Sequence, residues 1–136
     1  MLKIIMGLKG TGKTGHLIEL VNKAVNEESG NVVCIEKGTR LRYDIPHAVR
    51  LIDATEFDFD SYDFLKGFIS GLRSSNYDIT HIFFDSILRM IGATYDAQAE
   101  SFFAWVDKFS TETGVNFTLM VSADVSLASA EVSKYF

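Results

Sequence analysis

Residues 7–14 read GLKGTGKT and satisfy G-x-x-x-x-G-K-[ST] at every fixed position. Each residue type in that pattern has a chemical reason. Glycine lets a backbone turn sharply and come close to a phosphate. The N–H groups of such a turn point inward together, and a helix beginning near Lys13 adds the positive end of its dipole. Lys13 supplies a point charge on a flexible stem that reaches outer phosphates. The Thr14 hydroxyl can bind Mg2+, an ion that keeps water and phosphate oxygen as most of its other ligands. The expected anion-holding residues are therefore Gly7, Leu8, Lys9, Gly10, Thr11, Gly12, Lys13, Thr14 and Gly15.

Such a turn needs a strand before it and a helix after it. Leu2–Met6 is a short apolar run that ends at Gly7, as a buried strand would. Lys13–Glu28 carries Leu17, Leu20, Val21, Ala24 and Val25 at helical spacing, and Gly30 supplies a stop. Further strands are expected at Asn31–Glu36, Val49–Asp53, His81–Asp85 and Asn116–Ser122. A helix is expected over Ser61–Ser74, capped by Asp60 or Ser61. Another is expected over Asp96–Glu112, closed by Gly114, and a last one over Leu127–Tyr135. Phe102, Trp105, Val106 and Phe109 form one apolar stripe and read as core, whereas Phe103 falls off it towards solvent. Alternating strands and helices predict an α/β fold, a three-layer sandwich around a mostly parallel five-stranded sheet. Ligands of such sheets lie beyond the carboxyl ends of the strands, here Gly7–Thr14, Glu36–Arg42, Asp53–Glu56, Asp85–Arg89 and Ser122–Asp124.

Length and composition set outer limits. The 136 residues, 47% apolar and 23% charged, predict one packed domain over 1–136. A net charge of −5 gives no bulk attraction to nucleic acid or to an anionic membrane, though a local basic loop could provide one. Cys34 is the only cysteine, which excludes an internal disulfide and a cysteine-rich zinc site and suits a reducing compartment. The apolar run Ile4–Met6 is too short for a signal peptide, and no stretch reaches the ~20 apolar residues of a membrane span. A cytoplasmic, soluble protein is the expectation.

The loop and its strand–helix setting resemble those of P-loop nucleoside triphosphatases, within the RecA-like branch. At motif level the resemblance covers Leu2 to Glu28. The chain is also similar to short bacterial P-loop proteins sometimes labelled as twitching-motility ATPases. Only the phosphate loop is shared with the true pilus-retraction ATPases, which are longer and carry a further N-terminal domain with acidic and histidine boxes. The resemblance implies ATP with Mg2+ as ligand, and an Asp after an apolar strand to hold the metal through water. Asp85, after Ile82–Phe84, fits that place; the alternative, ranked below it, is that it caps the helix containing Ile87, Leu88 and Ile91, and Asp53 is a rival. Many relatives follow this Asp with a Glu that polarises the attacking water. Here Ser86 follows, and serine is no base at neutral pH without help. Glu36 and Asp124 are the candidate replacements, each also readable as a solvated strand-end charge. Catalysis would then rest on Lys13, Asp85, Glu36 and Asp124, with Thr14 and Asp85 on the metal and Ser122 sensing the outer phosphate.

Arg40, Arg42 and Arg89 fall on the same expected side and could meet a phosphate or a partner; solvated loop and helix positions explain them as well. His16 reads as a surface or packing residue. No N/T-K-x-D signature supports guanine, since Asn22–Lys23 lacks the Asp and lies within a helix. A weak or partner-activated ATPase or switch is expected, against a non-hydrolysing nucleotide-binding module or a small-molecule kinase. A protein partner or self-assembly would supply the missing parts.

Overall fold

The computed structural model describes residues 1–136. Its centre is a five-stranded sheet of β1 (Leu2–Gly7), β2 (Asn31–Glu36), β3 (Arg50–Asp53), β4 (Ile79–Phe84) and β5 (Asn116–Ser122). The strands lie in the order β1-β5-β4-β2-β3, and every pairing is parallel. The helices are α1 (Lys13–Glu27), α2 (Tyr62–Ser75), α3 (Ile87–Ile91), α4 (Ala97–Thr113) and α5 (Ala130–Ser133).

The strands read as continuous apolar runs because both faces of the sheet are covered. Val32, Cys34, Phe83 and Met120 face Leu17, Val21 and Ala24 of α1, together with Leu41 and Ile45 from the loop after β2. Their strand neighbours Val33, Ile35, Ile82, Phe84, Leu119 and Val121 face the larger core built with α2, α3 and α4. Helices on both faces make three layers. The outer edge of β1 is partly covered, since the Ile4 amide bonds to the Tyr135 carbonyl at 2.8 Å.

Two expectations fail. Phe103 is not at the surface but fully buried, with Ala99, Phe102, Val106 and Ser110. The buried face of α4 is wide enough to take adjacent residues because Tyr95 packs over it from outside, 6.2 Å from the Phe103 ring. The single helix expected over Leu127–Tyr135 is instead a 3-10 turn, Val125–Leu127, followed by the one-turn α5. The Asp124 side chain accepts from the Ser126 amide and Ser129 from that of Val132, so two caps start two short elements. No helix is long and apolar enough to cross a membrane.

Candidate functional site

The glycine-rich segment 7–15 joins β1 to α1 in a tight turn. Gly10 and Gly12 have φ of +88° and +82°, a region that a Cβ disfavours, so glycine is required by the turn itself. The Leu8 carbonyl holds the turn shut. It accepts from the Thr11 amide at 3.3 Å, from Thr11 Oγ1 at 2.7 Å and from Lys13 Nζ at 2.8 Å. Partial burial lowers the Lys13 pKa, and the nearby Asp85 carboxylate works against that.

The start of α1 differs from those of the other long helices. Ser61 caps α2 and Asp96 caps α4 through side-chain oxygens, and each has an acid, Asp63 or Glu100, in its first turn. Helix α1 begins at Gly12 with no side-chain cap and no acid in its first turn. The amides of Gly10, Gly12, Lys13, Thr14 and Gly15 have no hydrogen-bond partner within the chain. These donors and the helix dipole are left for something outside the polypeptide.

Beside this turn lies a hollow of about 650 Å³, into which Lys9, Gly10, Gly12, Lys13, Thr14 and Ser122 open from the β1 and β5 side. Ser122 is there because it pairs in register with Gly7. Arg40, Asp85, Ser86 and Arg89 form the other wall. Asp85 follows β4, its amide on the Ile35 carbonyl at 2.9 Å, and its carboxylate is buried. Oδ1 accepts from Ser86 Oγ at 3.2 Å, and Oδ2 lies 3.7 Å from Arg40 Nη2. Ser86 is the only non-glycine residue at positive φ, at 56°. Such a conformation is retained where surrounding structure compels it, and here it turns the chain from β4 into α3 beside Asp85. Four cations and one carboxylate line the hollow, so its walls are positive although the chain as a whole is acidic.

Glu36 and Asp124 do not share that hollow. Glu36 is completely buried beneath the loop after β2, where Oε1 accepts from the Leu41 amide at 2.9 Å. Its Oε2 has no partner, and burial raises its pKa. Asp124 is exposed on the opposite flank of the 7–15 turn. It lines a smaller hollow of about 440 Å³ with Gly7, Leu8, Thr11 and His16. Hydrogen bonds from Ser126 lower its pKa. The rival Asp53 accepts from Thr55 and from the Gly38 amide and so ties β3 to the loop after β2. The largest hollow, about 1110 Å³, lies elsewhere, between the free edge of β3 and α2, with mixed charges from Arg42, Arg50, Asp53 and Glu56.

No cluster of three or more His, Cys, Asp or Glu side chains could hold a metal alone. One carboxylate and one hydroxyl, Asp85 and Thr14, fit a magnesium ion that arrives on phosphate oxygens.

One constellation was not legible in the sequence. His81 Nδ1 is 2.7 Å from Glu28 Oε2 and Nε2 is 2.9 Å from Thr118 Oγ1, which is the order of an acid, an imidazole and a hydroxyl nucleophile. His81 and Thr118 are only 6% and 1% exposed, so the hydroxyl meets no substrate and the trio is a buried hydrogen-bond chain. The polar His81 within a mostly apolar strand is its only sequence signal. The chain matches no protein-family model, and no curated protein matches it.

Proposed function

We propose that the chain binds a nucleoside triphosphate with Mg2+ at the 7–15 turn and acts as a slow, partner-completed ATPase or ATP-dependent switch. The observation that carries this is the start of α1: unpaired amides, no cap and no acid, opening with Lys13, Thr14 and Asp85 on one positively lined hollow. An anion with several oxygens satisfies all of these at once. The amides and Lys13 would hold the phosphate chain, Thr14 and Asp85 the metal, and Ser122 the neighbourhood of the outer phosphate. Mg2+, when bound, neutralises charge on the phosphates. Asp124, on the other flank beside His16, suits the nucleoside end better than the reacting end. ATP is preferred over GTP only in that the chain carries no guanine signature. A buried, unpaired Cys34 fits a reducing, cytoplasmic setting.

Hydrolysis requires water to attack the outer phosphorus as the bond to the bridging oxygen breaks, with a group to take the water's proton. Ser86 stands where relatives have Glu, and Glu36 is enclosed with its carboxylate on Leu41. That arrangement favours binding with slow turnover, and it equally favours a module that binds nucleotide without consuming it. Thermal-shift titration with ATP, ADP and GTP, with and without Mg2+, tests the reading. Wild type is expected to be stabilised by Mg·ATP and Lys13→Ala not; equal shifts in both would reject it. A turnover assay then separates slow ATPase from module, and rapid steady-state hydrolysis by the isolated chain would contradict both.

A further inference from the structure

We propose that Arg40 lets this site distinguish a nucleoside triphosphate from a diphosphate, by exchanging its ion pair with Asp85 for one with the outermost phosphate. The inference rests on the nucleotide reading above and assigns a residue to its selectivity. In the structure Arg40 is 64% exposed and Asp85 is buried, so the arginine is the partner free to move. Its backbone is not free. Two residues before it, the Gly38 amide is held by Asp53 Oδ1 at 2.9 Å; one residue after it, the Leu41 amide is held by Glu36 Oε1 at 2.9 Å. Leu41 is itself buried in the core under α1. The loop thus fixes where Arg40 stands and leaves only the side chain to swing, across the hollow that faces Lys13 and Thr14.

Asp85 has limited room for cations. Ser86 Oγ occupies Oδ1, and Arg40 lies against Oδ2. The role that suits Asp85, steadying a metal held on phosphate oxygens, competes with Arg40 for the same carboxylate. Arg40 released from Asp85 meets a new bidentate acceptor when a third phosphate extends into the hollow. With a diphosphate it gives up Asp85 and gains nothing. Arg40 therefore penalises Mg·ADP and rewards Mg·ATP. Glu36 serves as a positioning residue, acting through the Leu41 amide.

The test is isothermal titration of the full chain with ATP and with ADP, each with Mg2+ or with a chelator, in wild type, Arg40→Ala, Arg40→Lys and Lys13→Ala. A charge-assisted hydrogen bond supports a change of roughly 10-fold or more. Arg40→Ala should lower the ratio of ATP to ADP affinity by about that factor. Its Mg·ADP affinity should equal or exceed that of wild type. Arg40→Lys should restore part of the ratio, since it keeps the charge but not the fork. A wild-type ratio in Arg40→Ala, or an equal loss for both nucleotides, overturns the assignment while the nucleotide reading stands. If wild type binds neither nucleotide, or Lys13→Ala binds both as wild type does, the nucleotide reading falls and this proposal falls with it.

Discussion

Replacing Gly7 by Ala tests whether close approach is what demands glycine where β1 enters the 7–15 turn. Gly7 is not among the residues at positive φ, so alanine suits its backbone; what it lacks is room. A Cβ built there stands 2.8 Å from Thr11 Oγ1, whereas Thr11 Cβ at 3.7 Å and Lys13 Cδ at 3.9 Å are ordinary contacts. Thr11 must therefore rotate, and its 2.7 Å bond to the Leu8 carbonyl is lost. Such a bond is worth about 1 kcal/mol net, and an off-rotamer threonine costs about 0.5–1.5 kcal/mol. Against this, alanine for glycine at a compatible backbone returns about 0.4–1 kcal/mol through the unfolded chain. The balance is a loss of ~1 kcal/mol for Gly7→Ala. On a Thr11→Ala background the obstructing oxygen is gone, only the chain-entropy gain remains, and the same substitution should stabilise by ~0.5 kcal/mol. Urea midpoints of wild type, both single variants and the double variant close the cycle. A change of the same sign and size on both backgrounds would refute the reasoning, because the clash would then not lie with that hydroxyl.

Burial holds the His81 pKa below its ordinary 6.5, against the pull of Glu28. Below that value the unfolded chain binds more protons, so this contribution is fully present above pH 6.5 and is lost as pH falls. The urea midpoint of wild type should therefore drop more steeply than that of His81→Phe between about pH 7 and pH 5. Glu36 has the opposite sign: its raised pKa means that the folded chain takes up a proton first as pH falls. Wild type should thus gain stability relative to Glu36→Gln on acidification through the carboxylate range, as paired denaturation curves would show. Phe103→Ala should cost about 3–5 kcal/mol, the range for a large core aromatic, and a change under about 1 kcal/mol by chemical denaturation would contradict its burial.

The apolar runs located the strands because both faces of the sheet are covered, which leaves each strand nearly free of polar residues. Asn31–Glu36 and Asn116–Ser122 end where the runs end, and Gly114, at φ 77°, closes α4 as its position in the sequence suggests. Local pattern does not give strand order, since β1 beside β5 joins opposite ends of the chain; only the family resemblance put the strand ending at Ser122 beside the one ending at Gly7, and the two do pair. The same limit applies to the site. Gly7–Gly15 is a local motif and could be read as such; the meeting of Arg40 with Asp85 depends on β2 lying beside β4, and that of His81 with Thr118 on β4 lying beside β5. Phe103 misled because a stripe argument assumes one covering surface, and α4 is covered from two sides.

A parallel sheet gathers the loops that follow its strands on one side, and that side receives the helix N-termini. The chain disposes of this positive potential unequally. At α2 and α4 it spends Ser61 with Asp63 and Asp96 with Glu100 to satisfy amides and dipole internally. At α1 it leaves both unmet and adds Lys9 and Lys13 to them. Glycine in place of a side-chain cap at Gly12 forgoes about a few tenths of a kcal/mol, and gathering like charges adds repulsion. Water meets these exposed amides in the free chain, and an anion such as the one proposed above would meet them together with the dipole, stabilising the folded chain by mass action. On the proposed reading, the stability withheld from α1 would return with the ligand, and the stability of the fold would then report occupancy of the turn at Lys13.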